Sequence, residues 1–167
     1  AGLPLWTTLI ALRHEGAPVI GAIGQPYLGE VFLGGPSGAR LLRDGTETAL
    51  RTRACPALSD ALIATTDPDI FVGADREAWT RLRASARLAR LGCDGYAYAM
   101  VAAGRIDLVA ETELKIWDWS ALKPVIEAAG GKVTGWTGQA PDRDGRILAV
   151  GDAALTNQAL AVLNAAG

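Results

Sequence analysis

One carboxylate, Asp118, lies between two tryptophans in the stretch KIWDWSAL, where an apolar strand-like run gives way to a helix-like one. An aspartate at such a junction commonly caps the new helix, because it accepts hydrogen bonds from the free N–H groups of the first turn. Pro124 favours a regular helix that starts nearer Leu122, which leaves residues 118–121 as a shaped turn. In such a turn, walled by two indoles, the carboxylate could instead hold a metal ion. Both interpretations stay open at this point.

A second carboxylate, Glu111, follows an apolar run that predicts a strand over residues 106–110. Side chains at strand ends line clefts in α/β proteins, so Glu111 is either a site residue or a solvated strand end. Asp107 lies inside the same run, and we expect it to be structural, with bonds to nearby backbone. Thr66 ends an earlier apolar run and is expected to close a turn, although its hydroxyl could touch a phosphate.

The segment RLGCDGY, residues 90–96, joins two predicted helices through two glycines. A turn of this kind can direct backbone N–H groups and a helix N-terminus towards an anion, with Arg90 supplying a positive charge and Asp94 a negative one. The simpler alternative is that the glycines end one helix and begin the next. Cys93 could be reactive in this turn, but no histidine lies near it in the sequence.

The scarcity of histidine and cysteine excludes several other chemistries. His14 is the only histidine and lies in a predicted hairpin turn, so a Ser-His or Cys-His hydrolase has no positioned base. Two isolated cysteines, Cys55 and Cys93, form neither a disulfide framework nor the usual structural zinc site. Oxygen-ligated hard cations are the metals that the remaining side chains could bind.

Composition favours one domain that acts on a small partner. The chain has 167 residues, 50% of them hydrophobic, which is enough for a single domain with a core. Its formal net charge is -2 without a block of like charge, so we expect binding neither to nucleic acid nor to an anionic membrane surface. No apolar run of about eighteen residues and no charged-then-apolar leader occurs, and a reducing cytoplasm suits the two cysteines.

The elements expected to position these residues change along the chain. The first third predicts an antiparallel meander with strands over residues 5–12, 18–24, 29–33 and 39–43, followed by a strand over 61–66. An amphipathic helix is predicted over residues 75–91, because apolar side chains recur every three or four positions between arginines. The later elements are helices over 95–103, 122–129 and 153–165 and extended segments over 106–110, 132–136 and 146–150. This order predicts an α/β fold in which helices pack against a mixed sheet.

These residues resemble the inositol-monophosphatase superfamily of magnesium-dependent phosphomonoesterases. The matching segments are GLPLW at residues 2–6, GRIDLVAE at 104–111, WDWSA at 117–121 and VIEAAGG at 125–131, so the resemblance covers nearly the whole chain. Within the superfamily, RLGCDGY together with ATT at residues 64–66 and CP at 55–56 looks most like the histidinol-phosphatase branch. In that branch the turn more often reads glycine, glycine, aspartate, cysteine, tyrosine, so cysteine and glycine are exchanged here.

The resemblance implies a role for each candidate residue. Asp118 is expected to bind Mg²⁺ as a catalytic residue near the substrate, and Glu111 to bind the alcohol part of the substrate. The expected lining of the substrate pocket is Arg90, Gly92, Cys93 and Asp94. L-histidinol phosphate is favoured over inositol phosphate, because its ammonium group would be attracted by Asp94 and Glu111 whereas a neutral polyol needs no such charge. The resemblance also leads us to expect a homodimer.

The resemblance further implies that the chain is the C-terminal lobe of a two-lobed αβαβα sandwich. In the family, several Mg²⁺ ions clamp the phosphate and activate a water molecule. Most of their ligands come from a glutamate and an Asp-Pro-Ile-Asp-Gly-Thr segment that this sequence does not contain. We therefore expect an N-terminal lobe of the same enzyme to complete the site. Two alternatives stay open: a phosphatase for inositol or another sugar phosphate, and a non-catalytic lobe that serves folding or dimerisation.

Overall fold

Two five-stranded sheets organise the chain in the computed structural model, which describes residues 2–141 and 144–165. The first sheet is an antiparallel meander of β1 (Thr8–His14), β2 (Ala17–Gln25), β3 (Glu30–Gly35), β4 (Gly38–Arg43) and β5 (Thr46–Ala49), in that order. The second contains β6 (Leu62–Thr65), β7 (Leu88–Leu91), β8 (Leu108–Glu111), β9 (Lys132–Thr134) and β10 (Ile147–Val150). Its order is β7-β6-β8-β10-β9, with β6 parallel to β7 and β8 and with β10 antiparallel to β8 and β9. The predicted mixed α/β fold is therefore confirmed.

Helices form one layer between the sheets and another beyond the second sheet. The helices are α1 (Ala74–Ser85), α2 (Asp94–Ala102), α3 (Ile116–Trp119), α4 (Leu122–Ala128) and α5 (Ala153–Leu163), and short 3₁₀ turns occur at Leu58–Asp60 and Pro68–Ile70. Helices α2 and α4 fill the space between the sheets, whereas α1 and α5 pack on the far side of the second sheet. Strand β8 is buried on both faces, which explains its continuous apolar run.

Helix α4 lies directly on the backbone of the first sheet, because the sheet carries glycine where the two meet. A Cβ on Gly21 would lie 2.0 Å from the carbonyl oxygen of Ala121, and a Cβ on Gly34 would lie 2.2 Å from the Cα of Val125. Real Cβ atoms do not approach so closely. The residue type at these two positions therefore sets the spacing between the first sheet and the helical layer that carries α2 and α4.

The opposite face of the first sheet is apolar and exposed. It carries Ile10, Leu12, Ile20 and Val31, whose exposed fractions are 65%, 58%, 44% and 38%. Strand pairing places them on one face, since Leu12 pairs with Ile20 and Gly24 with Val31. We call these four residues the outer sheet face. Nothing in the described part of the chain covers them.

Three local predictions differ from the structure. The helix predicted over residues 75–91 is wrong at its C-terminal end: α1 ends at Ser85 and residues 88–91 form the edge strand β7. The N–H groups of Arg87 and Leu88 donate to the carbonyl of Ala61, which starts the parallel pairing with β6. Pairing with the open edge of β6 thus outweighs the helical period of the segment. Strand β5 was not predicted, because its four residues are all exposed and do not alternate. The shaped turn expected over residues 118–121 begins instead inside the short helix α3.

The described helices include none that is long and apolar enough to cross a lipid bilayer.

Candidate active site

A cavity of about 500 Å³ opens where β8 ends, between the start of α2 and the helices α3 and α4. Four carboxylates line it: Asp94, Glu111, Glu113 and Asp118. No lysine, arginine or histidine of the described residues belongs to its lining. We call it the acidic cavity. An excess of negative charge in a concave site favours cations, either a metal ion or the ammonium group of a ligand.

Asp118 reaches the acidic cavity from α3. Its Oδ2 accepts a hydrogen bond of 2.7 Å from the N–H of Lys115, which caps the start of α3. Among the described residues, Oδ1 accepts no hydrogen bond, and the side chain is only partly buried. The two interpretations of this residue are therefore compatible, because one oxygen caps the helix while the other is available at the cavity.

Glu111 is buried at the end of β8 and is held by three donors. Its Oε1 accepts hydrogen bonds from the Thr66 N–H at 2.7 Å and from the Thr66 hydroxyl, and its Oε2 accepts one of 3.0 Å from the Tyr98 hydroxyl. Burial raises the pKa of the Glu111 carboxyl above its ordinary value, while the bonds from Thr66 and Tyr98 oppose that rise and the charge of Asp94 adds to it. Burial and the neighbouring Glu111 also raise the pKa of Tyr98. Glu111 is thus a fixed acceptor in the cavity wall.

The remaining predicted substrate-binding residues lie in or near the turn before α2, and their surroundings differ. Asp94 lines the acidic cavity, and Gly92 lines an adjoining cavity of about 450 Å³ that Asp94 also borders. Cys93 is partly buried and packs against the core between the sheets. Arg90 is exposed on the edge strand β7 and lines neither cavity. The structure brings Asp94 to the site beside Glu111 and Asp118, whereas a substrate role for Arg90 stays a prediction.

Asp107 supports the site from the start of β8. Its Oδ1 accepts a hydrogen bond of 2.7 Å from Nε of Arg53, and its Oδ2 accepts one of 2.6 Å from Nη2 of Arg53 and one of 2.7 Å from the N–H of Leu62. Burial acts to raise the pKa of Asp107, but these bonds and the charge of Arg53 outweigh it, so the pKa lies below its ordinary value. The structural role predicted for Asp107 is confirmed, since it fastens β8 to the start of β6.

Sequence reasoning missed Tyr98 and the contact between Thr66 and Glu111. Thr66 directly follows β6, and β6 runs parallel to β8, so the ends of the two strands meet at the same sheet edge. That adjacency was the available signal, because it places Thr66 beside the residue that ends β8. The sequence did not identify Tyr98, because it lies among small apolar residues of α2 and its type suits a buried core position.

The described residues supply one ligand for a metal ion rather than a complete metal site. No group of three or more His, Cys, Asp or Glu side chains in residues 2–141 and 144–165 is arranged to hold a metal. The available oxygen of Asp118 is nevertheless a hard carboxylate donor of the type that Mg²⁺ binds. Further ligands would have to come from water, from a phosphate or from other residues.

Three comparisons with known proteins agree with this geometry. A family model described as the inositol monophosphatase family matches residues 1–166. The bifunctional phosphatase IMPL2, chloroplastic, of Arabidopsis thaliana is 41% identical, over 95% of this chain and 48% of that protein. A histidinol-phosphatase of Mycobacterium tuberculosis is 29% identical, over 98% of this chain and 64% of that protein. The solved structure of an inositol monophosphatase from Zymomonas mobilis superposes with a TM-score of 0.92 at 35% identity, over 98% of this chain and 64% of that one. The chain thus spans about half the length of the first relative and less than two thirds of the other two.

Proposed function

Because the chain belongs to the inositol monophosphatase family, a family of phosphatases, we propose that it forms the C-terminal half of the active site of a Mg²⁺-dependent phosphomonoesterase. The proposed reaction hydrolyses L-histidinol phosphate to L-histidinol and phosphate, a step of histidine biosynthesis. The acidic cavity carries this proposal, because Asp94, Glu111 and Asp118 converge there. The similarity to a histidinol-phosphatase supports it.

Asp118 is the proposed metal ligand on this chain. Its Oδ1 would hold Mg²⁺ while the Oδ2 bond to the N–H of Lys115 fixes the carboxylate in place. Mg²⁺, when bound, polarises the phosphoryl group and favours a nucleophilic water. Glu111 presents a preorganised acceptor to the alcohol part of the substrate, because Thr66 and Tyr98 hold it in one orientation.

Asp94 is the proposed partner of the substrate ammonium. It is exposed at the rim of the acidic cavity, whereas Glu111 is buried and already accepts three hydrogen bonds. A carboxylate at the rim can pair with an ammonium without the cost of burying an unpaired charge. This difference supports an amino-alcohol phosphate over a neutral polyol phosphate.

An N-terminal lobe of the same enzyme would complete the site. The outer sheet face supports this part of the proposal, because contiguous exposed apolar residues mark surfaces that another body covers. The lack of a three-ligand group among the described residues supports it as well, since Mg²⁺ needs more oxygen ligands than Asp118 supplies.

The test is a substrate comparison with the full-length protein and Mg²⁺. L-histidinol phosphate is compared with its analogue without the amino group, 3-(imidazol-4-yl)propyl phosphate, and with D-myo-inositol 1-phosphate. We expect kcat/KM to be roughly tenfold higher for L-histidinol phosphate than for the analogue, because one charge-assisted hydrogen bond is lost. Asp94→Asn should abolish that difference while retaining hydrolysis of both compounds.

Two other outcomes would contradict the proposal. A preference for D-myo-inositol 1-phosphate would favour the inositol phosphatase alternative, which the similarity to the Zymomonas mobilis inositol monophosphatase supports. Hydrolysis of none of the three compounds would favour the non-catalytic lobe.

A further inference from the structure

A second cavity adjoins the acidic cavity and is walled by two aromatic side chains. Trp6 and Tyr27 face it, and the segment of residues 2–5 and the turn at Gly92 and Asp94 complete its lining. We call this space of about 450 Å³ the aromatic cavity. Trp6 and Asp94 line both cavities, so a ligand that reaches Asp94 from the acidic cavity is already at the entrance of the aromatic one.

The described residues leave much of the surface of the two aromatic walls uncovered. Trp6 is 55% exposed and Tyr27 is 70% exposed. Rings of this size usually bury most of their surface, and exposed aromatic side chains that line a concavity are typical of binding sites. Their flat faces attract planar rings by stacking and cations through the negative charge of the ring face.

A buried glutamine fixes the backbone beside the two aromatic walls. Gln25 ends β2, and no part of it is exposed. Its Nε2 donates to the carbonyl of Pro4, in the segment that leads into Trp6, and its Oε1 accepts a hydrogen bond of 2.7 Å from the N–H of Leu28, next to Tyr27. One amide therefore fixes the backbone near both aromatic residues to the end of β2. Such preorganisation is what a binding subsite needs, because it removes the cost of ordering the walls when a ligand enters.

We infer that the aromatic cavity receives a planar nitrogen-containing ring of the leaving alcohol, stacked against Trp6 and Tyr27 while the ammonium of the same alcohol pairs with Asp94. Gln25 is the positioning residue of this subsite. The inference rests on the proposed function, because it assigns the part of the substrate that lies beyond the phosphate. A polyol offers no flat aromatic face, so this subsite would contribute selectivity that the carboxylates alone do not supply.

Binding of the free alcohols tests the subsite without requiring hydrolysis. The full-length protein is titrated calorimetrically with L-histidinol and with L-alaninol, which keeps the amino alcohol and lacks the ring. We expect Trp6→Leu and Tyr27→Leu each to weaken L-histidinol binding by roughly tenfold, while L-alaninol binding stays within about twofold. The matched controls Trp6→Phe and Tyr27→Phe keep an aromatic face and should retain most of the affinity for L-histidinol.

Gln25→Glu tests the positioning role, because it keeps the acceptor for Leu28 and removes the donor to Pro4. We expect KM for L-histidinol phosphate to rise several-fold, with kcat unchanged and with KM for L-alaninol phosphate unchanged. A residue that served folding alone would change both substrates equally, in proportion to the loss of folded protein.

The two proposals fail in different ways. Equal affinity of the unsubstituted protein for L-histidinol and L-alaninol, or leucine variants that bind L-histidinol normally, would overturn the aromatic subsite even if phosphate esters are hydrolysed. Ring-selective binding by a protein that hydrolyses no phosphomonoester would support the subsite and overturn the proposed function.

Discussion

Glu111 and Asp118 border the same cavity, yet the chain gives the two carboxylates opposite surroundings. Glu111 is buried and accepts three hydrogen bonds, so its position is fixed and its charged form is disfavoured by desolvation. Asp118 is half-open and accepts one, which leaves an oxygen for a cation. A fixed acceptor beside an available metal ligand suits the proposed binding of an alcohol next to a phosphate.

The raised pKa of Glu111 predicts a pH-dependent loss of stability. A carboxyl whose folded pKa lies above its ordinary value, here 4.5, contributes stability that is fully present below that value and is lost as the pH rises through the folded pKa. Glu111→Gln removes this titration. Urea unfolding from about pH 4 to about pH 8 should therefore show the unfolding free energy of the unsubstituted protein falling relative to the variant, by at most about 1.4 kcal/mol per pH unit. An unfolding free energy of the unsubstituted protein that rises relative to that of Glu111→Gln as the pH increases would contradict this assignment.

The sequence identified Asp118, Glu111 and Asp94 as candidate site residues but did not identify their hydrogen-bond partners. Strand ends and a strand-to-helix junction are visible in the residue pattern, so their carboxylates could be identified as candidates. Tyr98, Trp6 and Tyr27 line the two cavities only through packing between distant segments. Arg90 was predicted from its charge and from its match to a pocket position of the family, and the structure places it on an edge strand outside both cavities.

Strands β6 and β8, which end at the acidic cavity, are joined at their opposite ends through the buried carboxylate of Asp107. Asp107 has no exposed side-chain surface and bonds Arg53 and the N–H of Leu62, so it links β8 to the start of β6. We expect Asp107→Ala to lower the unfolding free energy by about 2 kcal/mol. This is less than the loss of a fully buried ion pair would cause, because Arg53 is partly exposed. Denaturant unfolding measures this.

The matched control for that variant is Glu47→Ala. Glu47 faces Arg40 at 3.8 Å in a pair exposed on both sides, so its loss should change the unfolding free energy by less than about 0.5 kcal/mol. Equal losses of unfolding free energy in the two variants would contradict a stabilising role for the buried carboxylate of Asp107.

The close contact of α4 with the first sheet predicts that a larger residue at Gly34 is destabilising. Gly34→Ala would place a methyl group against the backbone of α4, and we expect the unfolding free energy to fall by about 3 kcal/mol. Gly24→Ala is the control in the same sheet, because its Cβ would meet only ordinary contacts at 3.8 Å. Comparable stability of the two variants would mean that α4 does not lie as close to β3 as the structure has it.

Element types were largely predictable, and the exceptions have physical causes. The hairpins of the first sheet and the helices α2, α4 and α5 follow from alternation, turn residues and apolar periods. Strand β7 did not, because residues 88–91 continue a helical period and become extended only through pairing with β6. The local residue pattern contains no information about a partner strand that lies far away in the sequence.

Taken together, the described residues form four layers and an incomplete metal site. The first sheet is covered by α2 and α4 on one face, and the outer sheet face is left exposed. The acidic cavity offers Asp118 to a cation but no group of three ligands among residues 2–141 and 144–165. Both features agree with the proposal that a further lobe contributes to the same site.

We propose that Asp118 holds the metal used by the complete enzyme, and Asp118→Asn in the full-length protein tests this role. Asparagine can still accept the N–H of Lys115, so α3 keeps its cap while the negative charge is lost. The control Asp67→Asn alters a comparable cap, in which one carboxylate oxygen accepts the N–H of Asp69 at the 3₁₀ turn Pro68–Ile70, and Asp67 does not line the acidic cavity.

We expect Asp118→Asn to lower kcat/KM for L-histidinol phosphate by roughly 100-fold or more and to raise the Mg²⁺ concentration needed for half-maximal activity. The unfolding midpoint and the activity of the control should stay close to those of the unsubstituted protein. Near-normal turnover by Asp118→Asn at an unchanged Mg²⁺ requirement would rule out a metal-binding role for Asp118.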